Sequence, residues 1–185
     1  MNRRRMLAAM GAGGLCIAWL PALAQTGDVA AAGLRSIAVL DFELVDDQGN
    51  PLTKAAQERR LRNATVQLRQ ELAERGLYEV INPSGSDELQ EKLRARQLFM
   101  YRCDDCSRQI GALLGVDLVM SPWVQKVSEL ILNVNVQIYD VNADKLIFSK
   151  SVDMRGNEDR SWTRAVHFLV RDMAEKRERN PGYGQ

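Results

Sequence analysis

Between Leu130 and Tyr139 an aliphatic residue recurs at every second position. Leu130, Leu132, Val134, Val136 and Ile138 alternate with Ile131, Asn133, Asn135, Gln137 and Tyr139. A period of two marks a strand with one face in an apolar core and one mostly polar face. Residues 139–144 carry turn chemistry, and the segment from Lys145 to Met154 returns as the next strand. Two neighbouring strands joined by a short loop make an antiparallel hairpin. Residues 116–120, Val-Asp-Leu-Val-Met, add a strand before it, so this half of the chain predicts an antiparallel meander.

The first half follows another rhythm. Residues 36–44 predict one strand, and residues 46–51 a turn. From Lys54 to Arg75, Leu61, Ala64, Leu68 and Leu72 recur at helical spacing, and Gly76 supplies a stop. Residues 77–81 form a short second strand. Ser84 or Ser86 is placed to cap a helix carrying Leu89 and Leu93. A third helix runs from about Asp105 to Leu114, with Ile110, Leu113 and Leu114 inward and Gly115 at its end. Lys126 and Ser128 fall in the link before the alternating strand. After the meander, Asn157 is placed to cap a last helix with Trp162, Ala165, Val166, Leu169 and Met173 on its apolar stripe. The expected fold class is α/β (α+β). A single mixed sheet of about five strands starts as βαβ, continues as the meander, and carries helices packed on it. That plan is similar to the N-terminal domain of TolB and to the periplasmic core of CsgG-type proteins, a similarity of fold that does not fix function.

The first 24 residues predict where this fold works. Arg3, Arg4 and Arg5 precede an uncharged apolar run of roughly 15 residues, shorter than the roughly 20 of a spanning helix. Ala22-Leu23-Ala24 then offers a signal-peptidase site. Residues 1–24 are therefore expected to be a cleavable signal peptide, with no membrane span after cleavage and a periplasmic or secreted product. The arginine cluster is similar to a twin-arginine (Tat) signal, and the Sec route stays open beside it. Cys16 lacks the residues that precede a lipid-modified cysteine and is expected to leave with the signal. Residues 25–34 are expected as a flexible leader, 35–176 as the single mixed domain and 177–185 as a disordered tail. Loss of the three arginines moves the formal charge from +1 to −2. That near-neutral balance gives no electrostatic reason to expect nucleic acid.

Cys103 and Cys106 are then the remaining cysteines. In an oxidising compartment the default reading is a disulfide clip at a helix start. A thiol-disulfide redox pair is an open alternative, although Asp104 and Asp105 beside the sulfurs would raise a thiol pKa. A small-ligand or metal-binding role is another, but a zinc site needs two more ligands and the chain has one histidine, His167. No Ser-His-Asp or Cys-His constellation can be named, so the expectation is a non-catalytic protein without a cofactor. Asp41 ends a strand where ligands often sit, and a turn or cap aspartate is the plainer reading. Trp123 and Trp162 are expected as core or boundary anchors. The polar row Asn133, Asn135 and Gln137 is the candidate partner surface, with a solvated sheet face as the plain alternative.

Three segments carry a family resemblance: residues 39–44 (Val-Leu-Asp-Phe-Glu-Leu), residues 124–136, and residues 151–162 from Ser151 to Trp162. With the Cys103/Cys106 pair they resemble a bacterial secreted family of unknown function. Its members are often encoded near quinoprotein (PQQ-dependent) alcohol dehydrogenases and their c-type cytochromes. The resemblance implies an accessory role in periplasmic alcohol oxidation, with a protein of that system as partner, and it brings no catalytic residues.

Overall fold

The alternating run becomes the middle of the antiparallel half of a six-stranded sheet. The computed structural model describes residues 33–47 and 49–185. The expected signal peptide and all but the last two residues of the expected leader lie outside them. In chain order the elements are β1 (Ser36–Val39), β2 (Glu43–Asp46), α1 (Lys54–Glu74), β3 (Glu79–Ile81), α2 (Asp87–Arg94), α3 (Asp104–Leu114), β4 (Leu118–Lys126), β5 (Ile131–Asp140), β6 (Lys145–Arg155) and α4 (Asp159–Arg179). Short 3-10 turns at Pro83–Ser86 and Met100–Arg102 lead into α2 and α3.

The strand order is β3-β1-β4-β5-β6, with β2 pairing β4 beyond the end of β1. β1 runs parallel to β3 and β4, β2 runs parallel to β4, and β5 is antiparallel to both of its neighbours. This is the mixed α/β sheet that the two rhythms predict. α1 and α4 cover one face, where Leu68, Leu72, Trp162, Val166 and Leu169 meet Leu132, Val134, Val136 and Ile138. α2 and α3 cover part of the other, where Leu93, Cys106 and Ile110 meet Ala38, Leu40 and Val119. Among the described residues no helix is long and apolar enough to cross a membrane.

The sixth strand arises because residues 36–44 do not form one run. Leu40 N–H donates to Met120 O at 2.9 Å. Met120 therefore turns its backbone toward β1, and Pro122, two residues on, faces the same side. Pro122 has no hydrogen to give, and interior prolines in sheets sit at bulges. The register slips there: Val39 lies opposite Met120, but Glu43 lies opposite Trp123. Side chains of α1 satisfy the displaced backbone. Phe42 N–H donates to Thr65 Oγ1 at 3.0 Å, and Arg69 donates to Val39 O through Nε at 3.0 Å and Nη2 at 2.6 Å.

β4 also runs further than expected. Lys126 is its last residue rather than part of a link. It is buried, with Nζ 2.9 Å from Asp46 and 2.6 Å from Glu129. Burial pulls the Lys126 pKa down, but its hydrogen bonds to Glu129 and Asp46 outweigh that and hold it above the usual lysine value.

Three local expectations shift. Ser86 stands at the N-cap of α2 but makes no side-chain cap bond, and Ser84 lies in the preceding 3-10 turn, which Asn82 caps, its Oδ1 accepting from Ser84 N–H at 3.0 Å. Asn157 does not cap α4; its Oδ1 accepts from Trp162 Nε1 at 3.0 Å, so it anchors the indole instead. In α3 the inward stripe runs through Cys106, Ile110 and Leu114, and Leu113 is turned out to solvent. Gly115 ends that helix at φ 66°, which favours glycine.

The C-terminal residues expected as a tail are packed. Arg177 belongs to α4, and its guanidinium donates to Tyr78 Oη at 2.6 Å. Tyr183 meets Phe148 edge-on at 5.1 Å, and the Tyr78 hydroxyl donates to Gly184 O.

Thr65→Val keeps the side-chain shape and removes the acceptor for Phe42 N–H. The expected loss is roughly 1–3 kcal/mol, because a buried donor is left unpaired. Thermal unfolding should show a drop of several degrees for Thr65→Val, with Thr65→Ser close to wild type.

Candidate partner-binding face

β4, β5 and β6 turn their second face away from α1 and α4. Register places Gln125, Asn133 and Asp153 in one row, Trp123, Asn135 and Ser151 in the next, and Ser121, Gln137 and Ser149 in a third. The structure therefore gathers Asn133, Asn135 and Gln137 onto one face. They are not equivalent. Asn133 Nδ2 donates to Asp153 Oδ1 at 2.6 Å, and Asn135 Nδ2 donates to Asn133 O at 3.1 Å. Asn135 is buried at 8% exposure, so it braces the face rather than presenting it. Gln137 is half-buried, and among the described residues its amide makes no hydrogen bond. In the same row the buried Ser121 Oγ also lacks a partner.

An aromatic ledge borders these rows. Tyr101 stacks on Trp123 with centroids 4.0 Å apart and planes 8° from parallel. Phe99 tilts against Tyr101 at 5.7 Å, and the Arg102 guanidinium lies 5.3 Å from the Tyr101 centroid. Leu98, beside them, is 80% exposed. Trp123 is thus a boundary anchor, while Trp162 lies in the core. Tyr101 and Phe99 carry no periodic signal and were not marked by sequence reasoning; aromatics clustered just before a cysteine pair were the one available hint.

Two ties hold the ledge. On the sheet side, the Glu43 carboxylate accepts from Met100 N–H through Oε1 at 3.0 Å and Oε2 at 2.9 Å. Burial pushes the Glu43 pKa up, and the Met100 amide and the Arg94 charge oppose that rise. On the helix side, Cys103 and Cys106 are joined by a disulfide with Cα atoms 5.2 Å apart. Cys103 sits at the N-cap of α3, where its sulfur accepts from Cys106 N–H at 3.2 Å. The bond closes directly after the turn that carries Tyr101, so its effect reaches the ledge.

Other expected site residues go elsewhere. Asp41 lies in the break between β1 and β2 and pairs with Arg69 at 2.9 Å. The two border a polar cleft of about 390 Å³ with Asn82, Asp87, Gln90 and Arg94. His167 is exposed on α4, with Nδ1 3.1 Å from Glu71 Oε2, on the face of the sheet opposite the disulfide. Among the described residues no three His, Cys, Asp or Glu side chains come together to hold a metal ion. The exposed face offers amides, hydroxyls and stacked rings, the groups that protein surfaces use for recognition.

Fold and face together define a small mixed α/β domain with a polar, aromatic-edged sheet surface. The chain belongs to a family of unknown function: residues 35–173 match the model DUF3280, described as "Protein of unknown function (DUF2380)". No curated protein matches the sequence. Several solved structures are similar in fold. The LpoB C-terminal domain from Salmonella enterica is 13% identical, over 68% of this chain and 87% of that one, with a TM-score of 0.45. PelC from Paraburkholderia phytofirmans, solved as a dodecamer, is 11% identical over 74% of this chain and 86% of that one, with a TM-score of 0.44. TolB from Acinetobacter baumannii is 12% identical over 81% of this chain and 30% of that one, with a TM-score of 0.43.

The two ties give separable expectations. Cys103→Ser removes a short loop closure, a contribution on the order of 2 kcal/mol. The melting temperature should fall by about 4–8 °C in calorimetry. For Glu43, a raised folded pKa means that its contribution is most favourable below the ordinary carboxylate value and is lost as pH rises through the folded value. Glu43→Gln should therefore gain stability relative to wild type at pH 7, and the gain should disappear toward pH 4. Chemical denaturation at both pH values measures the difference.

Proposed function

We propose that this chain is a non-catalytic protein of the bacterial envelope that binds another protein through the sheet face around Gln137 and the Tyr101–Trp123 ledge. The observation that carries this reading is the stacked aromatic pair beside a polar sheet surface, held in place at both ends. Rigid, partly exposed aromatics give large contact area at low entropic cost, and they dominate binding energy at interfaces. The export-type N-terminus supports an envelope location. The resemblance to a secreted family associated with quinoprotein alcohol dehydrogenases supplies the partner class: a component of periplasmic alcohol oxidation, either the PQQ-dependent dehydrogenase or its c-type cytochrome. A structural role for Cys103 and Cys106 fits the same reading, since their bond steadies the ledge.

Titration calorimetry of the purified protein against a quinoprotein alcohol dehydrogenase and its cytochrome tests both parts. Tyr101→Ala should weaken binding by roughly 30-fold, the effect of losing about 2 kcal/mol at a central aromatic anchor. Gln137→Lys should weaken it without a matching fall in melting temperature. Undiminished binding by both variants would exclude this face. Binding to neither protein would exclude the quinoprotein partner.

A further inference from the structure

β6 is an edge of the sheet. Its backbone polarity is fixed by the ladder. Gly156 N–H donates to Leu130 O at 3.1 Å, in the same register that pairs Leu132 with Met154 and Val134 with Val152. Alternation then turns the backbone groups of Ser149, Ser151, Asp153 and Arg155 away from β5. The Arg155 carbonyl accepts from Ser161 Oγ at 2.8 Å. Among the described residues the N–H and C=O of Ser149, Ser151 and Asp153 make no hydrogen bond. Natural sheets commonly blunt such an edge with proline, a bulge, charged side chains or a covering segment, and of these β6 carries charge, at Lys150, Asp153 and Arg155. Over Ser149–Arg155 there is no proline, and the register shift in this hairpin lies further along, at Ile138/Tyr139.

Beside this edge lies a groove of about 480 Å³, bordered by Ser151, Asp153, Arg155, Arg164, Ala165 and Phe168. Phe168 is 42% exposed although it is large and apolar. Arg160, Arg164, Phe168 and Arg171 follow one another at spacings of four, four and three along α4, which places them on one stripe. Arg171 pairs with Glu175 at 3.6 Å, whereas Arg155, Arg160 and Arg164 make no ion pair among the described residues. Of the acidic groups nearby, Asp153 accepts from Asn133, Glu158 accepts from Ser161 Oγ at 3.4 Å, and Asp172 is paired with Lys150 and with Lys176. The groove thus combines unpaired strand amides, an apolar floor and excess positive charge.

We propose that the free edge of β6 and the arginine stripe of α4 accept an extended acidic segment of a partner protein as an added strand. Backbone hydrogen bonds to Ser149, Ser151 and Asp153 hold the segment. The side chains on its helix side are the carboxylates, which cross Ala165 and Phe168 to meet Arg160 and Arg164, while the side chains between them lie over the polar face of β6. The proposal rests on the protein-binding reading above and specifies the form of the partner.

The probes are two synthetic nine-residue peptides, one alternating valine with glutamate and one alternating valine with lysine, titrated into the full chain. The glutamate peptide should bind at least tenfold more tightly than the lysine peptide, and the preference should shrink as salt rises. N-methylation separates strand addition from a loose ionic contact. Methylating one alternate set of its amides should abolish binding, and methylating the other set should leave it intact, because only one set faces β6. Ser151→Pro removes an outward N–H and spares the β5 ladder, so it should weaken binding by about tenfold or more. If that variant fails to fold, the methylated peptides still carry the test. Equal binding of both methylated sets, or no preference for glutamate, would overturn the proposal. So would a wild-type dimer in sedimentation that Ser151→Pro dissolves, since a second copy would then fill the groove. Loss of quinoprotein binding in Tyr101→Ala but not in Ser151→Pro would remove the edge and leave the sheet-face reading standing.

Discussion

β4 is the only strand in the described sheet that pairs in parallel on one side and antiparallel on the other, and Pro122 stands in the middle of it. A proline there cannot donate to the β1–β2 side, so the parallel half cannot continue unbroken past it. The bulge at residues 40–42 absorbs that missing hydrogen bond. It also bends the chain so that Glu43 reaches the Met100 amide. The same break exposes Val39 O and Phe42 N–H to α1, which places Thr65 and Arg69 against the sheet. One absent hydrogen therefore sets the register of β2, the seating of α1 and one of the two ties on the aromatic ledge.

The second tie is covalent and lies on the far side of the ledge. Glu43 holds Met100 by charge-assisted hydrogen bonds inside the protein, while the disulfide holds Cys103 three residues later. Between them the chain has little freedom beyond Tyr101 and Arg102, and both side chains stack outward. Fixing an aromatic before it meets a partner removes the ordering cost that binding would otherwise carry. A disulfide spanning so few residues adds modest global stability in the loop-closure view. Its local effect, keeping Tyr101 flush on Trp123, is the more direct consequence for recognition.

Much of the fold could be read from periodicity because periodicity reports burial. The alternation of Leu132 through Ile138 and the stripes of α1 and α4 match the observed element types and inward faces, and Gly76 and Gly115 mark the ends of α1 and α3. What failed were features set by single residues in tertiary context. Strand β4 carries Pro122 opposite the bulge on its neighbour and runs on past Met120, so Lys126, expected in a link, is buried as its last residue. Asn157 resembles a cap until an indole from the next turn claims its carbonyl. The terminal residues look polar and loose, yet Tyr78, Arg177 and Tyr183 form a cluster whose members are far apart in sequence. On the candidate face, Asn133, Asn135 and Gln137 could be placed together from spacing alone. That Asn135 is a brace could not, since its burial depends on the Trp123 row beside it. Tyr101 and Phe99 were invisible for the same reason: they belong to no repeat and gain meaning through Trp123.

The same alternation has a further consequence at the sheet edge. Side chains on β6 switch faces at every residue, and backbone groups switch edges in the same step. Apolar Val152 and Met154 point into the core and give their amides to β5. Ser149, Ser151 and Asp153, in the opposite phase of the alternation, are therefore solvent-facing in side chain and, among the described residues, unpaired in backbone. A partner strand docking there meets small or acidic side chains on one side and the arginine stripe of α4 on the other, so charge favours carboxylates approaching from the helix side. Tyr101 lies across the sheet from this edge, beyond the rows of β4 and β5. A single protein partner can reach both, with a strand along β6 and a surface over Gln137, because Ser149 and Ser151 belong to the edge and to the polar rows at once.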